Sequence, residues 1–192
     1  MDKFSFETLS IEGPLLITAR QFKDFRGYFM ETYSSSHFRV GGVCSTFVQD
    51  NQSFSSERGT VRGLHFQRPP NAQAKLVRVL NGAIYDVVVD IRLGSSSYGC
   101  WCAATLTAES GDQLFVPHGF AHGFCTLEPA TVVAYKVDNH YSAEDDGGIF
   151  WADPALAIDW PITPATAIVS PKDSALPLLT EIVNPFQIKE ML

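Results

Sequence analysis

Two apolar stretches on either side of Asn81-Gly82 give the clearest structural signal in the sequence. Lys75-Leu-Val-Arg-Val-Leu80 comes before this dipeptide, and Ala83-Ile-Tyr-Asp-Val-Val-Val-Asp-Ile91 comes after it. Asn-Gly is the pair that most readily supplies the two residues with positive φ in a type I′ turn. The stretch therefore predicts a β-hairpin, whose second strand has one apolar face and a second face that carries Asp86 and Asp90.

Similar short stretches recur along the chain. β-Branched and aromatic runs are interrupted about every ten residues by Gly, Pro, Asn or Ser, a pattern that is typical of an all-β sandwich or barrel. Besides the hairpin, the predicted strands are 15–20, 28–32, 46–50, 60–66, 100–106, 113–116, 123–127 and 131–137. Short helical pieces are predicted at 35–39, 142–146 and 174–179. After residue 138 the alternation fades, which predicts a segment that wraps the barrel.

The length and composition indicate one domain over residues 1–192. With 45% hydrophobic residues, the 192-residue chain is long enough for one substantial core. Its longest uncharged apolar segments fall far short of the about 20 residues that a membrane span needs. The N-terminus lacks the basic stretch and apolar run of an export signal. We therefore expect no membrane association and no export.

The net charge limits the kinds of partner that the protein can bind, and the cysteines indicate its cellular compartment. A net charge of −7 argues against nucleic acid and anionic membranes, although a few arginines in a cleft would still hold a small anion. Cys44, Cys100, Cys102 and Cys125 are too few and too irregular for a disulfide framework, and Cys100-Trp-Cys102 lacks the second pair of a zinc site. We expect small core thiols in a reducing cytoplasm.

The stretch Thr60-Val-Arg-Gly-Leu-His-Phe-Gln67 carries the most informative polar residues. Strict alternation would place Arg62 and His65 on opposite faces of a strand. A bulge at Gly63 would bring both into one cavity. On this stretch alone, a structural histidine satisfied by a carboxylate is as good an interpretation as a catalytic one.

Eight stretches together resemble the dTDP-4-dehydrorhamnose 3,5-epimerase family, the nucleotide-sugar epimerases of rhamnose biosynthesis. They occur in the order and near the spacing of that family, and the resemblance spans roughly residues 12–178. The stretches are 24–31, 49–53, 62–67, Lys75, 116–124, 135–136, 158–161 and 170–173.

This resemblance implies a fold, a reaction and an assembly. The fold would be an all-β, cupin-type double-stranded β-helix, or jelly-roll barrel. The reaction would convert dTDP-4-dehydro-6-deoxy-D-glucose into dTDP-4-dehydro-L-rhamnose by proton transfer at C3 and C5 through enolates. The partners would be the dTDP-sugar and a second copy of the chain in a homodimer, with no metal and no organic cofactor.

The resemblance also assigns the catalytic residues. It implies that His65 is the base, held by Asp173, and that Tyr135 is the acid on the opposite face of the sugar. Imidazole has an ordinary pKa of about 6.5, which suits abstraction of a proton next to a ketone near neutral pH. Lys75 would stabilise the enolate. As isolated residues, Lys75 would be an ordinary strand lysine and Tyr135 a tyrosine of the barrel wall.

Further residues resemble the substrate-binding set of the family. Arginine favours phosphate oxygens through its forked donors, so Arg26 and Arg62 would bind the diphosphate, with Arg26 and Glu31 near the neighbouring subunit's site. Tyr141 and Phe29 are candidates to pack on the nucleoside, while His118 lies where the family is less restrictive, and His37 and His140 are expected on the surface. The remaining predicted contacts are Gln49, Asn51, His122, Asp146 and Lys172.

One departure from the family pattern concerns Asp146-Gly147, where the family commonly has Glu-Arg. The shorter carboxylate and the missing arginine bear on substrate preference.

Three alternatives remain beside this hypothesis. A metal-dependent cupin needs two or three converging histidines, typically with a His-x-His pair that His65-Phe-Gln67 lacks. A non-catalytic sugar-nucleotide binding module would need Arg26 and Arg62 but not the catalytic residues. An epimerase acting only at C3 or only at C5 would keep His65 and Asp173, and Tyr135 favours double epimerisation over it.

Overall fold

The computed structural model describes residues 3–188, which form fourteen strands and two short helices. The elements are β1 (Phe4–Thr8), β2 (Leu15–Ala19), β3 (Gln21–Asp24), β4 (Gly27–Met30), α1 (Ser35–Val40), β5 (Gln49–Ser55), β6 (Thr60–Gln67), β7 (Lys75–Asn81), β8 (Ala83–Asp90), β9 (Trp101–Thr107), β10 (Gln113–Val116), β11 (Phe120–Thr126), β12 (Thr131–Val137), β13 (Asp146–Gly148), β14 (Ile168–Val169) and α2 (Pro171–Ser174).

The strands form two large sheets that enclose a common core. The first sheet has the order β1-β2-β10-β7-β12-β5, and the second has the order β13-β6-β11-β8-β9, with β14 parallel to β6. Strands β3 and β4 form a separate hairpin. Antiparallel neighbours that come from distant parts of the chain are the mark of a jelly roll. The predicted all-β, cupin-type double-stranded β-helix is therefore confirmed.

The predicted hairpin around Asn81-Gly82 is wrong, although both of its strands exist. Strand β7 pairs with β10 and β12 in the first sheet, whereas β8 pairs with β9 and β11 in the second. The connection is thus a corner between sheets, where only Gly82 of the pair has positive φ, at +80°. A Cβ on Gly82 would lie 2.5 Å from Thr131 Oγ1. Glycine is needed here for close approach as well as for its φ.

The space between the sheets is filled by the inward-facing residues of both. Val77 on β7 and Val133 on β12 meet Val88 on β8 and Phe124 on β11 in one buried cluster. Asp86 and Asp90 have the same parity as Val88, so they also point inward, and both are fully buried. The partly polar face of β8 is therefore the inside of the barrel.

The C-terminal segment covers the outside of the second sheet, which confirms the predicted wrap. Val87 and Val89 on the apolar face of β8 pack against Leu156, Leu179 and Phe186. Both faces of β8 are buried for this reason. Burial of the outer face requires a segment that is more than 60 residues away in the sequence.

The short elements differ from the prediction more than the barrel strands do. Helix α1 at Ser35–Val40 confirms the helix expected at 35–39. The helical piece at 142–146 is wrong, because this part is a turn followed by β13. The piece at 174–179 is also wrong, since α2 ends at Ser174 and Pro177 disfavours helix in the residue before it. Strand β5 begins at Gln49, later than predicted, and β1, β3, β13 and β14 were not predicted.

Within residues 3–188, neither helix has the length and apolarity needed to cross a membrane.

Candidate active site

A bulge in β6 brings Arg62 and His65 to the same side of the sheet, as predicted. In the ladder with β11, His65 is opposite His122 and Arg62 is opposite Phe124, so one residue of β11 faces two of β6. Gly63 lies inside this bulge with a φ of +118°, and a Cβ there would lie 2.6 Å from the backbone of β11. A larger residue would push the two strands apart.

The bulge opens onto a cavity of about 460 Å³ between the sheets. Side chains from both sheets and from α2 line it, and they include all four predicted catalytic residues. The predicted residues in this cavity are Arg62, His65, Lys75, His122, Tyr135 and Asp173. Sequence reasoning did not single out Ser53, Thr60, Phe124 and Ile168, which complete the walls.

His65 and Asp173 form a hydrogen-bonded pair at the cavity wall. His65 Nε2 lies 2.8 Å from Asp173 Oδ1, and the backbone N–H of Gly63 donates to Asp173 Oδ2 at 3.1 Å. The His65 side chain is 31% exposed and that of Asp173 only 6%. Burial raises the pKa of Asp173, but hydrogen bonds from His65 and Gly63 outweigh it and hold the pKa below the ordinary value. Asp173 is therefore an anion that orients the imidazole.

Helix α2 places Asp173 behind His65. The Ser170 side chain caps the helix by accepting from the backbone N–H of Asp173 at 3.0 Å, and Pro171 occupies the first turn. Strand β14, directly before this cap, runs parallel to β6. The local signal was present in the sequence as Ser170-Pro171, although the helix was predicted three residues too late.

Lys75 enters the cavity from the first residue of β7. Its Nζ donates to the His65 carbonyl oxygen at 3.3 Å. Burial of the ammonium lowers its pKa to about 8, although Asp86 and Asp146 act in the opposite direction. Lys75 is thus a cation near neutral pH that is weakly solvated, the state in which a charge interacts most strongly with a developing anion.

Tyr135 and Arg62 reach the same cavity from opposite sheets. Tyr135 packs against the core between the sheets, and burial raises the pKa of its phenol despite the nearby charge of Arg62. The phenol is therefore protonated at neutral pH. Arg62 is held by Ser55 Oγ and the Phe54 carbonyl, which accept from its guanidinium at 3.2 and 2.9 Å.

A second histidine–aspartate pair was missed by sequence reasoning. His122 Nε2 lies 2.5 Å from Asp86 Oδ1, and both side chains are buried. The other oxygen of Asp86 is buried without a hydrogen-bond partner among the described residues. In the sequence, Asp86 is marked only as part of the polar face of a predicted strand, and the sequence does not show that this face is the barrel interior.

A second cavity of about 410 Å³ shares His65, Lys75 and Tyr135 with the first and extends the cleft. It brings together five more of the predicted substrate-binding residues, namely Gln49, Asn51, Tyr141, Asp146 and Lys172. Gln49 Nε2 donates to Asn51 Oδ1 at 2.8 Å. Asp146 accepts hydrogen bonds from the Tyr141 hydroxyl and the Lys172 ammonium, and it raises the pKa of both groups. The shorter carboxylate of Asp146 is thus part of a polar cluster at the cleft.

The remaining predicted residues lie outside both cavities. Arg26 lies at the tip of the β3–β4 hairpin, where it binds Asp24 at 2.6 Å. Glu31 binds Lys3 at 2.6 Å, and Phe29 is 71% exposed. Within one chain, the hairpin does not contribute to the cleft.

The side chains of the cleft form hydrogen-bonded pairs and do not cluster as metal ligands do. Within residues 3–188, no three His, Cys, Asp or Glu side chains are grouped so that they would hold a metal ion. A site of the metal-dependent cupin type requires such a group.

The jelly-roll barrel, with a histidine–aspartate pair in the cleft between its two sheets, places this chain among the cupin-type enzymes. The family model described as dTDP-4-dehydrorhamnose 3,5-epimerase matches residues 8–181. The dTDP-4-dehydrorhamnose 3,5-epimerase of Sinorhizobium fredii is 51% identical over 187 residues, which cover 97% of this chain and 95% of that protein. The chain therefore belongs to the dTDP-4-dehydrorhamnose 3,5-epimerase family and is an epimerase.

Solved structures agree with this assignment. The Bacillus anthracis enzyme of the same name, with TDP and PPi bound, has a TM-score of 0.88 and 49% identity, and the match covers 91% of this chain and 99% of that one. The dTDP-6-deoxy-D-glucose-3,5-epimerase of Legionella pneumophila, in complex with dTDP-4-keto-L-rhamnose, has a TM-score of 0.88 and 40% identity, with coverages of 93% and 94%.

Proposed function

We propose that this epimerase converts dTDP-4-dehydro-6-deoxy-D-glucose into dTDP-4-dehydro-L-rhamnose by inverting C3 and C5. The observation that carries the proposal is the meeting of His65 on β6 and Tyr135 on β12 in one cavity. These strands belong to facing sheets. A base and an acid that approach a sugar from two sides suit inversion, since the proton must return to the face opposite the one it left.

Each inversion proceeds in two proton transfers. The free ring nitrogen of His65 takes the proton from the carbon next to the C4 ketone, and the electron pair moves onto the ketone oxygen to form an enolate. Asp173 stabilises the imidazolium, and the Lys75 ammonium stabilises the enolate oxygen. Tyr135 then donates its proton to the opposite face of the same carbon. His65 releases its proton to solvent and Tyr135 recovers one from solvent, so both residues are ready for the second carbon.

The cleft is proposed to bind the nucleoside diphosphate through residues of both cavities. Arg62 faces the cavity that contains His65, and Lys172 adds a cation in the adjoining one. Gln49, Asn51 and Tyr141 supply hydrogen-bonding groups along the same wall. Forked guanidinium donors fit phosphate oxygens. The Bacillus anthracis relative has TDP bound, which supports a nucleotide ligand for this enzyme.

The test of the function is a proton-NMR time course with dTDP-4-keto-6-deoxyglucose in deuterated water, with and without a chelator. Deuterium should enter at both C3 and C5, and the rhamno-configured sugar should accumulate at the same rate in both samples. Exchange at one carbon alone would indicate an epimerase that acts only at C3 or only at C5. Loss of turnover on chelation, with recovery on adding a divalent ion, would replace this mechanism with a metal-dependent one.

The reaction should lose rate on the alkaline side because Lys75 loses its proton there. Only the ammonium form stabilises the enolate, and its fraction falls as the pH rises through the Lys75 pKa of about 8. The value of kcat/KM should therefore fall about tenfold per pH unit above that point. Replacing Lys75→Met should lower isotope exchange and product formation alike by about 100-fold, and it should remove this alkaline limb. A Lys75→Met enzyme with an unchanged alkaline limb would contradict the role.

We also propose that two copies of the chain form a homodimer in which the β3–β4 hairpin of one protomer completes the site of its partner. Phe25 is 97% exposed and Phe29 71% exposed at this hairpin, while Arg26 has no place in the cleft of its own chain. Exposed aromatic residues beside a cation are typical of an interface. An arginine on that hairpin would reach the diphosphate of the neighbouring site.

Mixing two impaired variants tests the shared site. The Arg26→Ala and His65→Ala proteins should each show strongly reduced kcat/KM, yet their mixture after subunit exchange should recover activity. Each mixed dimer contains one intact site, so random pairing predicts about a quarter of wild-type activity. Light scattering should give twice the 21.1 kDa mass of one chain. A fully active monomer, or a mixture no more active than its components, would refute the proposal.

A cytoplasmic location is proposed on chemical grounds. All four cysteines are free thiols. Cys102 and Cys125 are buried as expected, whereas Cys44 and Cys100 are exposed to solvent, so the prediction of core thiols is wrong for these two. Exposed thiols persist in a reducing compartment.

A further inference from the structure

A third histidine–carboxylate pair, His118 with Asp138, lies outside the catalytic cleft. His118 Nε2 is 3.1 Å from Asp138 Oδ1 and 3.0 Å from Oδ2. The His118 side chain is 41% exposed, whereas that of Asp138 is 10% exposed. Neither the proposed chemistry nor the proposed nucleotide contacts use this pair.

Asp138 connects the end of β12 to the beginning of β7. Its Oδ1 accepts from the backbone N–H of Ala74 at 2.7 Å, and its own N–H donates to the Ala74 carbonyl at 3.4 Å. Beside it, the Asn139 carbonyl accepts from Gln73 Nε2 at 2.8 Å. Ala74 is buried and immediately precedes Lys75. Contacts from residues 138 and 139, together with the pairing of Lys75 with Val116 and Val137, therefore fix the position at which Lys75 enters the cavity.

His118 connects this corner to a third strand. It lies in the short loop between β10 and β11, four residues before His122. The pair thus joins the start of β11, the end of β12 and the start of β7. These three strands carry His122, Tyr135 and Lys75, which all line the same cavity.

We propose that His118 and Asp138 are positioning residues that hold Lys75 in place beneath the His65 carbonyl and thereby keep its ammonium buried. The proposal rests on the proposed function, because Lys75 acts there on the enolate. Its hydrogen bond to the His65 oxygen, at 3.3 Å, is long and depends on where β7 begins. Displacements of about 1 Å in an active site can cost about 100-fold in rate, so a clamp on the preceding residue has a measurable effect.

Different charged groups surround Asp138 and Lys75. Burial raises the pKa of Asp138, but the hydrogen bonds from His118 and Ala74 hold it below the ordinary value. His118 shares its surroundings with Glu12, Cys44 and Arg92. The charged and titratable groups around Lys75 come from six elements. They are Arg62 and His65 on β6, Asp86 on β8, His122 on β11, Tyr135 on β12, Asp146 on β13, and Lys172 and Asp173 on α2.

The experiment compares pH profiles of the wild-type enzyme with His118→Ala and His118→Gln. In His118→Ala, kcat should fall about tenfold with little change in KM. The alkaline limb should move from about 8 toward the ordinary lysine value of about 10.4, because Lys75 becomes better solvated. Glutamine keeps a donor for the carboxylate, so His118→Gln should restore both quantities. Asp138→Ala should shift the limb in the same direction as His118→Ala.

The outcomes separate this proposal from the proposed function. A wild-type enzyme that turns over the dTDP-sugar, together with a His118→Ala enzyme of unchanged kcat and unchanged alkaline limb, overturns the positioning role alone. A His118→Ala enzyme that loses thermal stability and kcat with no movement of the limb also overturns it, because that result indicates general structural support. If the wild-type enzyme does not turn over the dTDP-sugar, the proposed function fails first.

Discussion

Replacing His65→Ala should abolish epimerised product and isotope exchange at C3 and C5 together. Without the imidazole no enolate forms, so neither protonation from solvent nor inversion can follow. Removal of a positioned general base costs about 10²–10⁴-fold in rate. Both quantities can be followed in one sample by proton NMR in deuterated water. Asp173 lies 2.8 Å from His65 Nε2 and its side chain is only 6% exposed, so its role is to hold the imidazole.

His140→Ala is the matched control for this loss. His140 is exposed, as predicted, and within residues 3–188 its hydrogen bonds, to Gln67 and Asn139, are made by its backbone alone. This variant should keep wild-type exchange and product formation. An His65→Ala enzyme that still exchanges deuterium at a rate near that of the wild type would remove His65 from the role of base.

Replacing Tyr135→Phe should separate the two proton transfers. The enolate still forms at His65 and can take deuterium back on the face from which the proton left. Product with inverted carbons should fall by about 10³-fold, since the acid on the opposite face is missing, while exchange at C3 or C5 persists. Burial raises the pKa of this phenol, so the wild-type residue is protonated when the enolate forms.

Tyr98→Phe is the corresponding control, because Tyr98 lies in the loop between β8 and β9, outside both cavities of the cleft. It should leave exchange and inversion unchanged. Normal formation of the doubly inverted sugar by Tyr135→Phe would disprove the role of the phenol. In that case His122, buried in the same cavity beside Asp86, would be the next candidate for the proton source.

Most barrel strands could be predicted from local sequence, whereas the catalytic residues were assigned by the family resemblance. Strand β6 was predicted from its β-branched and aromatic residues, and the bulge from a glycine between Arg62 and His65. The bulge is required because strict alternation would separate these side chains. Family resemblance, rather than any pattern of spacing, assigned Asp173 to His65, since the two residues are 108 positions apart.

The pairing of strands was beyond local reasoning. Asn81-Gly82 predicts a hairpin because it favours a tight turn, yet β7 and β8 enter different sheets. The C-terminal segment buries the outer face of β8, and the core between the sheets buries the inner one. The strands and segments that pack on a strand buried on both faces come from distant parts of the chain. A turn dipeptide next to that strand therefore does not determine which strands pair with it.

By itself, the sequence determined the all-β class and the positions of most barrel strands, because these follow from side-chain periodicity. The resemblance of eight stretches to the family, and not their periodicity, identified the catalytic residues that line the cleft. Only the tertiary structure decided that the polar face of β8 points inward, where Asp86 meets His122 at 2.5 Å, and that His118 and Asp138 join three strands near Lys75. Such pairs form between residues brought together by long-range packing, so no local pattern specifies them.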